Sequence, residues 1–167
     1  MASGYKIEKE IKDIGGHIKE VIKVYDEQGK EVKRTIIPLK EEFYPQDLLQ
    51  VLIGAAILAI PVGFTEETWS LGELLPFVNV MAFMLVSLAF IALFVYYHYY
   101  RDSFREHWDE FIKRVLFTYM VAFLVVALLL ALIQRTPWST DWMLALKRVV
   151  LVAFPASMSG AIADTIK

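Results

Sequence analysis

The chain has 167 residues, no cysteine and a formal net charge of −2. That excludes disulfides, thiolate metal sites and cysteine nucleophiles, and it argues against a nucleic-acid partner. The hydrophobic share is 57% and the mean hydropathy +0.47, against ~45–50% apolar residues in an ordinary soluble domain. The apolar residues crowd into the part after residue 46, so the composition describes an integral membrane protein preceded by a charged segment.

Residues 1–46 come first. The opening MASGYKIEKEIKD is charged and lacks the apolar core and cleavage site of a signal peptide. In VIKVYDEQGKEVKRTIIPL, two β-branched runs flank DEQGK, and Gly29 can supply a positive φ. This predicts a β-hairpin over about residues 20–37. A lone hairpin is marginal in water, so it is expected to pack on residues 5–18, on a neighbouring subunit or on the membrane face. Pro38 and Pro45 bracket a linker.

Four apolar segments follow, at residues 48–64, 74–97, 115–133 and 142–166. A spanning helix needs ~20 mostly apolar residues. Only helices and closed barrels satisfy the backbone in lipid, and these runs lack strict alternation. The first is short unless it begins near Pro45, and the fourth is interrupted by Lys147 and Arg148. The expected fold class is an all-α polytopic membrane protein, with a four-helix transmembrane domain over 47–167 and a short cytoplasmic segment containing the β-hairpin over 1–46.

Basic residues set the expected orientation. Residues 1–46 carry nine Lys or Arg. The 99–114 link has Arg101, Arg105, Lys113 and Arg114, the 64–76 link has none, and the 134–141 link has Arg135. Both termini are therefore expected in the cytoplasm of a multi-pass cell (inner) membrane protein. Tyr96, Tyr97, Tyr99, Tyr100, Trp138 and Trp142 suit the headgroup belts.

The outer end of the first segment reads AIPVGFTEETWSLGE. Pro61 and Gly63 precede Glu66 and Glu67, and Pro61 is expected to break or kink the helix. Broken helices expose carbonyls to cations, and rings of carboxylates select cations in channels. Glu66 and Glu67 are therefore candidate cation-binding or selectivity residues, with Phe64 and Trp69 as a possible apolar constriction. A plainer reading makes TEET a solvated turn whose acids complement the next helix's positive N-terminus, with Ser70 and Glu73 at capping-box spacing.

In the fourth segment, Pro155 precedes a run of small residues. Ala156 with Gly160, and Ser159 with Ala163, have the spacing that lets helices approach closely. Pro155, Ser159 and Gly160 are candidates for pore lining or helix packing in equal measure. Asp164 is a possible acidic site by virtue of its place in a membrane segment, although three residues from the end it is expected to be solvated. Lys147 and Arg148 are expected to snorkel, with pairing to Glu66 or Glu67 as the alternative. Gln50 and Asn79 fit interhelical hydrogen bonding. His17, His98 and His107 form no metal constellation, and there is no Ser-His-Asp order, HExxH or phosphate loop. No enzyme activity and no cofactor are expected, and the sequence leaves any metal unknown.

AIPVGFTEETWSLGE resembles the signature of a prokaryotic family of integral membrane proteins of unknown function, P-x-x-F-T-x-E-x-W-x-x-G after the first helix. Pro61, Phe64, Thr65, Glu67, Trp69 and Gly72 carry the match, and FPASMSGAIAD is similar to the family's later helix of proline and small residues. The resemblance spans about residues 48–167. It departs at Glu66, where an apolar residue is usual, which makes Glu67 the better family-wide acid. It implies a membrane architecture and supplies no mechanism.

The sequence reading is thus a homo-oligomeric cation channel or transport protein in the lipid bilayer, with an inorganic cation as ligand. Its rival is a non-transporting scaffold or regulatory subunit acting through the N-terminal segment.

Overall fold

The computed structural model describes residues 6–13, 18–26, 29–38, 45–100, 104 and 108–166. The chain forms two compact units, residues 1–42 and 43–167, and each is described by itself.

The first unit is an antiparallel sheet of three strands, β1 (Lys6–Asp13), β2 (Ile18–Tyr25) and β3 (Glu31–Pro38), in that order. The expected hairpin is the β2–β3 pair, with Val21 opposite Ile36 and Lys23 opposite Arg34. Gly29 has φ 75° in the turn, a conformation that glycine adopts without a side-chain clash. The third strand supplies what a lone hairpin lacks. β1 pairs along β2 with Glu10 opposite Val21. Lys23 Nζ donates to Glu10 Oε2 at 2.9 Å, and Lys12 lies 3.1 Å from Oε1.

The second unit contains α1 (Pro45–Gly63), α2 (Glu66–Leu74), α3 (Phe77–Val95), α4 (Trp108–Leu132) and α5 (Trp142–Asp164). A π-helical turn, Tyr96–Tyr100, continues α3. Four of these helices, counting α3 with its π-helical turn, are long and apolar enough to cross a membrane, with mean hydropathies of 1.4 to 2.8. α1 starts on Pro45, whose missing N–H is harmless at a first helical position. α4 ends where Gln134 takes φ 57° and Arg135 N donates to the Leu130 carbonyl at 2.9 Å, a left-handed helix stop. Asp141 caps α5 by accepting from Leu144 N at 2.9 Å.

We call the end where α1 and α4 start and α5 finishes the base, and the end carrying α2 the crown. α5 is the central helix, packed by α1, α3 and α4. Its approach to α1 depends on small residues. A Cβ on Gly54 would collide with the Ala163 side chain and sit 2.9 Å from the Ser159 carbonyl, and one on Gly160 would sit 3.1 Å from the Val51 carbonyl. The crown half of the interior is filled by fully buried Ala55, Ala59, Ala122, Val126, Leu130, Val149, Val152, Ala153 and Ala156. Ser87 and Ser157, both fully buried, share a hydrogen bond of 2.5 Å between α3 and α5.

The break expected at Pro61 falls at the helix end: Pro61 sits in the last turn of α1, which stops two residues later, at Gly63. The TEET stretch is not a plain turn, because Glu66 and Glu67 open α2.

Candidate functional site

Charged and polar side chains gather at both ends of the bundle. At the crown, Arg148 of α5 reaches across to α2. Its Nη2 donates to Glu73 Oε1 at 2.6 Å, its Nη1 to the Arg135 carbonyl at 2.7 Å and its Nε to the Trp69 carbonyl at 3.4 Å. Gly72 makes room for this arm, since a Cβ there would lie 2.6 Å from Arg148 Cγ. Trp69 Nε1 donates to the Gly63 carbonyl at 2.8 Å, and the Arg135 guanidinium stacks 3.8 Å over the Trp69 ring, a favourable cation–π geometry. Lys147 Nζ donates to the Leu75 carbonyl at 2.7 Å.

Lys147 and Arg148 therefore fold onto α2 instead of snorkelling, and the acid that Arg148 takes is Glu73, not Glu66 or Glu67. Ser70 is no capping residue. It lies inside α2, and its hydroxyl donates to the Glu66 carbonyl at 2.9 Å. Glu66 and Glu67 are exposed in the first turn of α2, where acids suit the helix dipole, and neither has an ion-pair partner among the described residues. Phe64 is exposed, Pro61 is exposed, and Gly63 is buried against Leu129, Leu130 and Val152.

At the base, Arg114 of α4 is fully buried between two acids. Nε and Nη2 donate to Asp164 Oδ2 at 3.0 and 2.7 Å, and Nη2 also reaches Asp47 Oδ2 at 3.4 Å. All three side chains are at most 2% exposed. The guanidinium lies 3.8 Å over the Tyr99 ring, and Tyr99 Oη donates to the Asp164 carbonyl at 2.9 Å. This knot ties the start of α1, the π-helical end of α3, the start of α4 and the end of α5. π-Helical turns are frequent at functional sites.

Asp164 is thus not solvated; the fold encloses it. Asp47, Tyr99 and Arg114 escaped the sequence reading as site residues. Arg114 sits just before the apolar run that begins at Val115, and so reads as part of a basic link. Yet Phe111, Arg114, Val115, Thr118 and Ala122 recur at three- and four-residue spacing, and that face is the one α4 buries. One turn deeper, Thr118 is fully buried and its Oγ1 has no hydrogen-bond partner among the described residues. Gln50 Nε2 donates to the Ile166 carbonyl at 3.0 Å, while Gln50 Oε1 is buried with no hydrogen-bond partner among the described residues. The Tyr119 hydroxyl likewise has no hydrogen-bond partner among the described residues, and its ring packs among Ile91, Val95, Tyr100 and Val115.

Of the small-residue candidates, Gly160 is buried against α1, and Ser159 and Pro155 are half-buried on the central helix. Asn79 is exposed on α3. His98 is exposed and stacks on Phe94 with ring centroids 6.2 Å apart. His17, His107, Arg101 and Arg105 lie outside the described residues.

Residues 17–166 match the family described as "Putative integral membrane protein (DUF2391)". The chain belongs to that family. The match reaches back to residue 17, and so takes in β2 and β3 as well as the helices. No curated protein and no solved structure matches the chain. Membership and four long apolar helices together make this an integral membrane protein with a small N-terminal antiparallel sheet.

Proposed function

We propose that this protein is an oligomeric channel or transport protein for inorganic cations in the cell (inner) membrane, with both termini and the base cytoplasmic and the crown outside. The carrying observation is the unequal treatment of the three crown carboxylates. Glu73 is held by Arg148, whereas Glu66 and Glu67 stand exposed without an ion-pair partner among the described residues. The neighbouring cations are engaged elsewhere: Lys147 on the Leu75 carbonyl and Arg135 over Trp69. Two adjacent carboxylates so arranged are available to attract a cation at a pore mouth.

The middle of the crown half of one copy is filled by buried apolar side chains, so this reading puts the path between copies around a closed symmetry axis. α5 is interior, which leaves the outward face of α1, with Ile53, Ile57 and Ile60 exposed, and Phe64 above it to line the path. Cation flux into liposomes holding the purified protein tests this, beside an E66Q/E67Q variant shown to insert and assemble. Flux that falls or loses selectivity in the variant is the expected result. Equal flux in both removes the glutamates from the mechanism, and no flux of any common cation refutes the transport reading.

One observation favours the scaffold reading as second. Ile7 on one face of the N-terminal sheet and Ile36 on the other are 62% and 48% exposed, apolar side chains that a protein partner could cover. Folded, inserted protein without flux would put this reading first.

A further inference from the structure

We propose that Arg135, at the crown, binds the phosphate of a phospholipid headgroup, with Trp69 as the platform that holds its guanidinium in place. Arg135 lies in the link between two spans, three residues after Leu132, where α4 ends, and seven before Trp142, where α5 begins. A link this short between spanning helices stays at the bilayer surface, at the depth of the headgroups. Trp138 and Trp142, in and just after the same link, are exposed, and tryptophan favours that level.

The side chain of Arg135 is fixed from both directions. Its backbone N–H donates to the Leu130 carbonyl at 2.9 Å, and its own carbonyl accepts from Arg148 Nη1 at 2.7 Å. The guanidinium carbon lies 3.8 Å over the Trp69 ring. That ring is held in turn, because Nε1 donates to the Gly63 carbonyl at 2.8 Å. The indole attracts the cation but accepts none of its N–H bonds through oxygen. A guanidinium carries a fixed fork of N–H donors, and that of Arg135 makes no hydrogen bond and no ion pair among the described residues, although the residue is exposed. The acids of α2 do not take it. Glu73 is spent on Arg148, and Glu66 and Glu67 reach no cation among the described residues.

The fork therefore lacks an anion with paired oxygens. Carboxylate and phosphate both match it in bidentate geometry. At this depth the abundant one is the lipid phosphate, which the leaflet itself brings to the link. Because the guanidinium is already placed, little freedom is lost when a phosphate docks. A headgroup bound there ties the link between α4 and α5, and through Trp69 also α2, to the leaflet. This site goes beyond the cation reading and is independent of it, since it needs the membrane architecture and no transport.

The experiment is native mass spectrometry of the full chain in a phosphate-free detergent. It reads the lipid-bound fraction as phosphatidylethanolamine is titrated in, beside diacylglycerol with the same acyl chains. The phospholipid binds, and the diacylglycerol binds more weakly by about tenfold or more, the size of one charge-assisted hydrogen bond. Arg135→Gln weakens the phospholipid by a similar factor and leaves the diacylglycerol unchanged. The side chain removed touches only a ring, so the variant keeps its fold, which thermal unfolding without lipid checks. Arg135→Lys keeps the charge, loses the fork and falls between. Equal binding of the lipids overturns the proposal and leaves an acyl-chain contact only. Unchanged phospholipid binding in Arg135→Gln overturns it by placing the headgroup elsewhere, and unchanged binding in Arg135→Lys overturns it by reducing the fork to general charge attraction. Inorganic phosphate that strips the lipid at the lipid's own concentration overturns it as well, by making the ligand a free anion.

Discussion

Replacing Arg114 with methionine tests the reasoning about the base most directly. Methionine fills similar length without charge. The change removes a fully buried guanidinium that makes contacts of 2.7 and 3.0 Å to Asp164 and 3.4 Å to Asp47, and that stacks on Tyr99. It leaves two acids that are 1–2% exposed without this cation. Removing one partner of a buried ion pair costs about 3–5 kcal/mol, whereas replacing the whole group by neutral residues of like volume is often neutral or better. For a unit of this size, 1 kcal/mol moves the melting temperature by roughly 3–5 °C, so Arg114→Met should lower it by about 10–25 °C. The triple variant Arg114→Met, Asp47→Asn, Asp164→Asn should regain most of that loss. The assay is thermal unfolding in detergent, completed as a mutant cycle. A single variant within about 1 kcal/mol of the parent, or a triple variant no better than the single, refutes the claim that Arg114 neutralises the acids inside the fold.

Two further outcomes follow from contacts elsewhere. Gly54→Ala sets a methyl group against Ala163 and the Ser159 carbonyl, so α1 and α5 must part and the unfolding free energy should drop by roughly 1–3 kcal/mol; unchanged melting would show that the helices are not in such close contact. In the sheet, the ammonium groups of Lys23 and then Lys12 bonded to Glu10 hold its carboxyl below the ordinary value, which is ~4.3 for a free glutamate. A carboxylate depressed in the folded state adds stability that is present above the unfolded value and is lost as pH falls through the folded one. NMR titration of the glutamate carboxyl carbons should therefore find Glu10 below its peers, and Lys23→Ala should move it back up; a midpoint indifferent to Lys23 would deny the pair.

The sequence by itself determined the membrane architecture. Runs of about twenty apolar residues have one solution in lipid, and the charged N-terminal segment with Gly29 between two β-branched runs has the local chemistry of a hairpin. These signals survive because they depend on spacing along the chain: hydropathy over a window, turn residues between strands, small residues four apart. Gly160 and Ala163 were legible in that way. Their partner Gly54, 105 positions before Ser159, was not. The same reason separates the two ends of the bundle. Pro61, Glu67 and Trp69 stand together in one short motif, so they invite attention in the sequence. The knot of Asp47, Tyr99, Arg114 and Asp164 draws on four helices, and each member taken alone reads as a flank of a span. Arg114 counts as a basic link residue only if α4 starts at Val115; it starts at Trp108, which carries Arg114 nearly two turns into the helix and onto its buried face. Asp164 reads as solvated only if nothing covers the end of α5. Tertiary structure decided both points, because desolvating a charge is tolerable only where the fold brings its counter-charge, and that meeting is written in how the helices pack around α5.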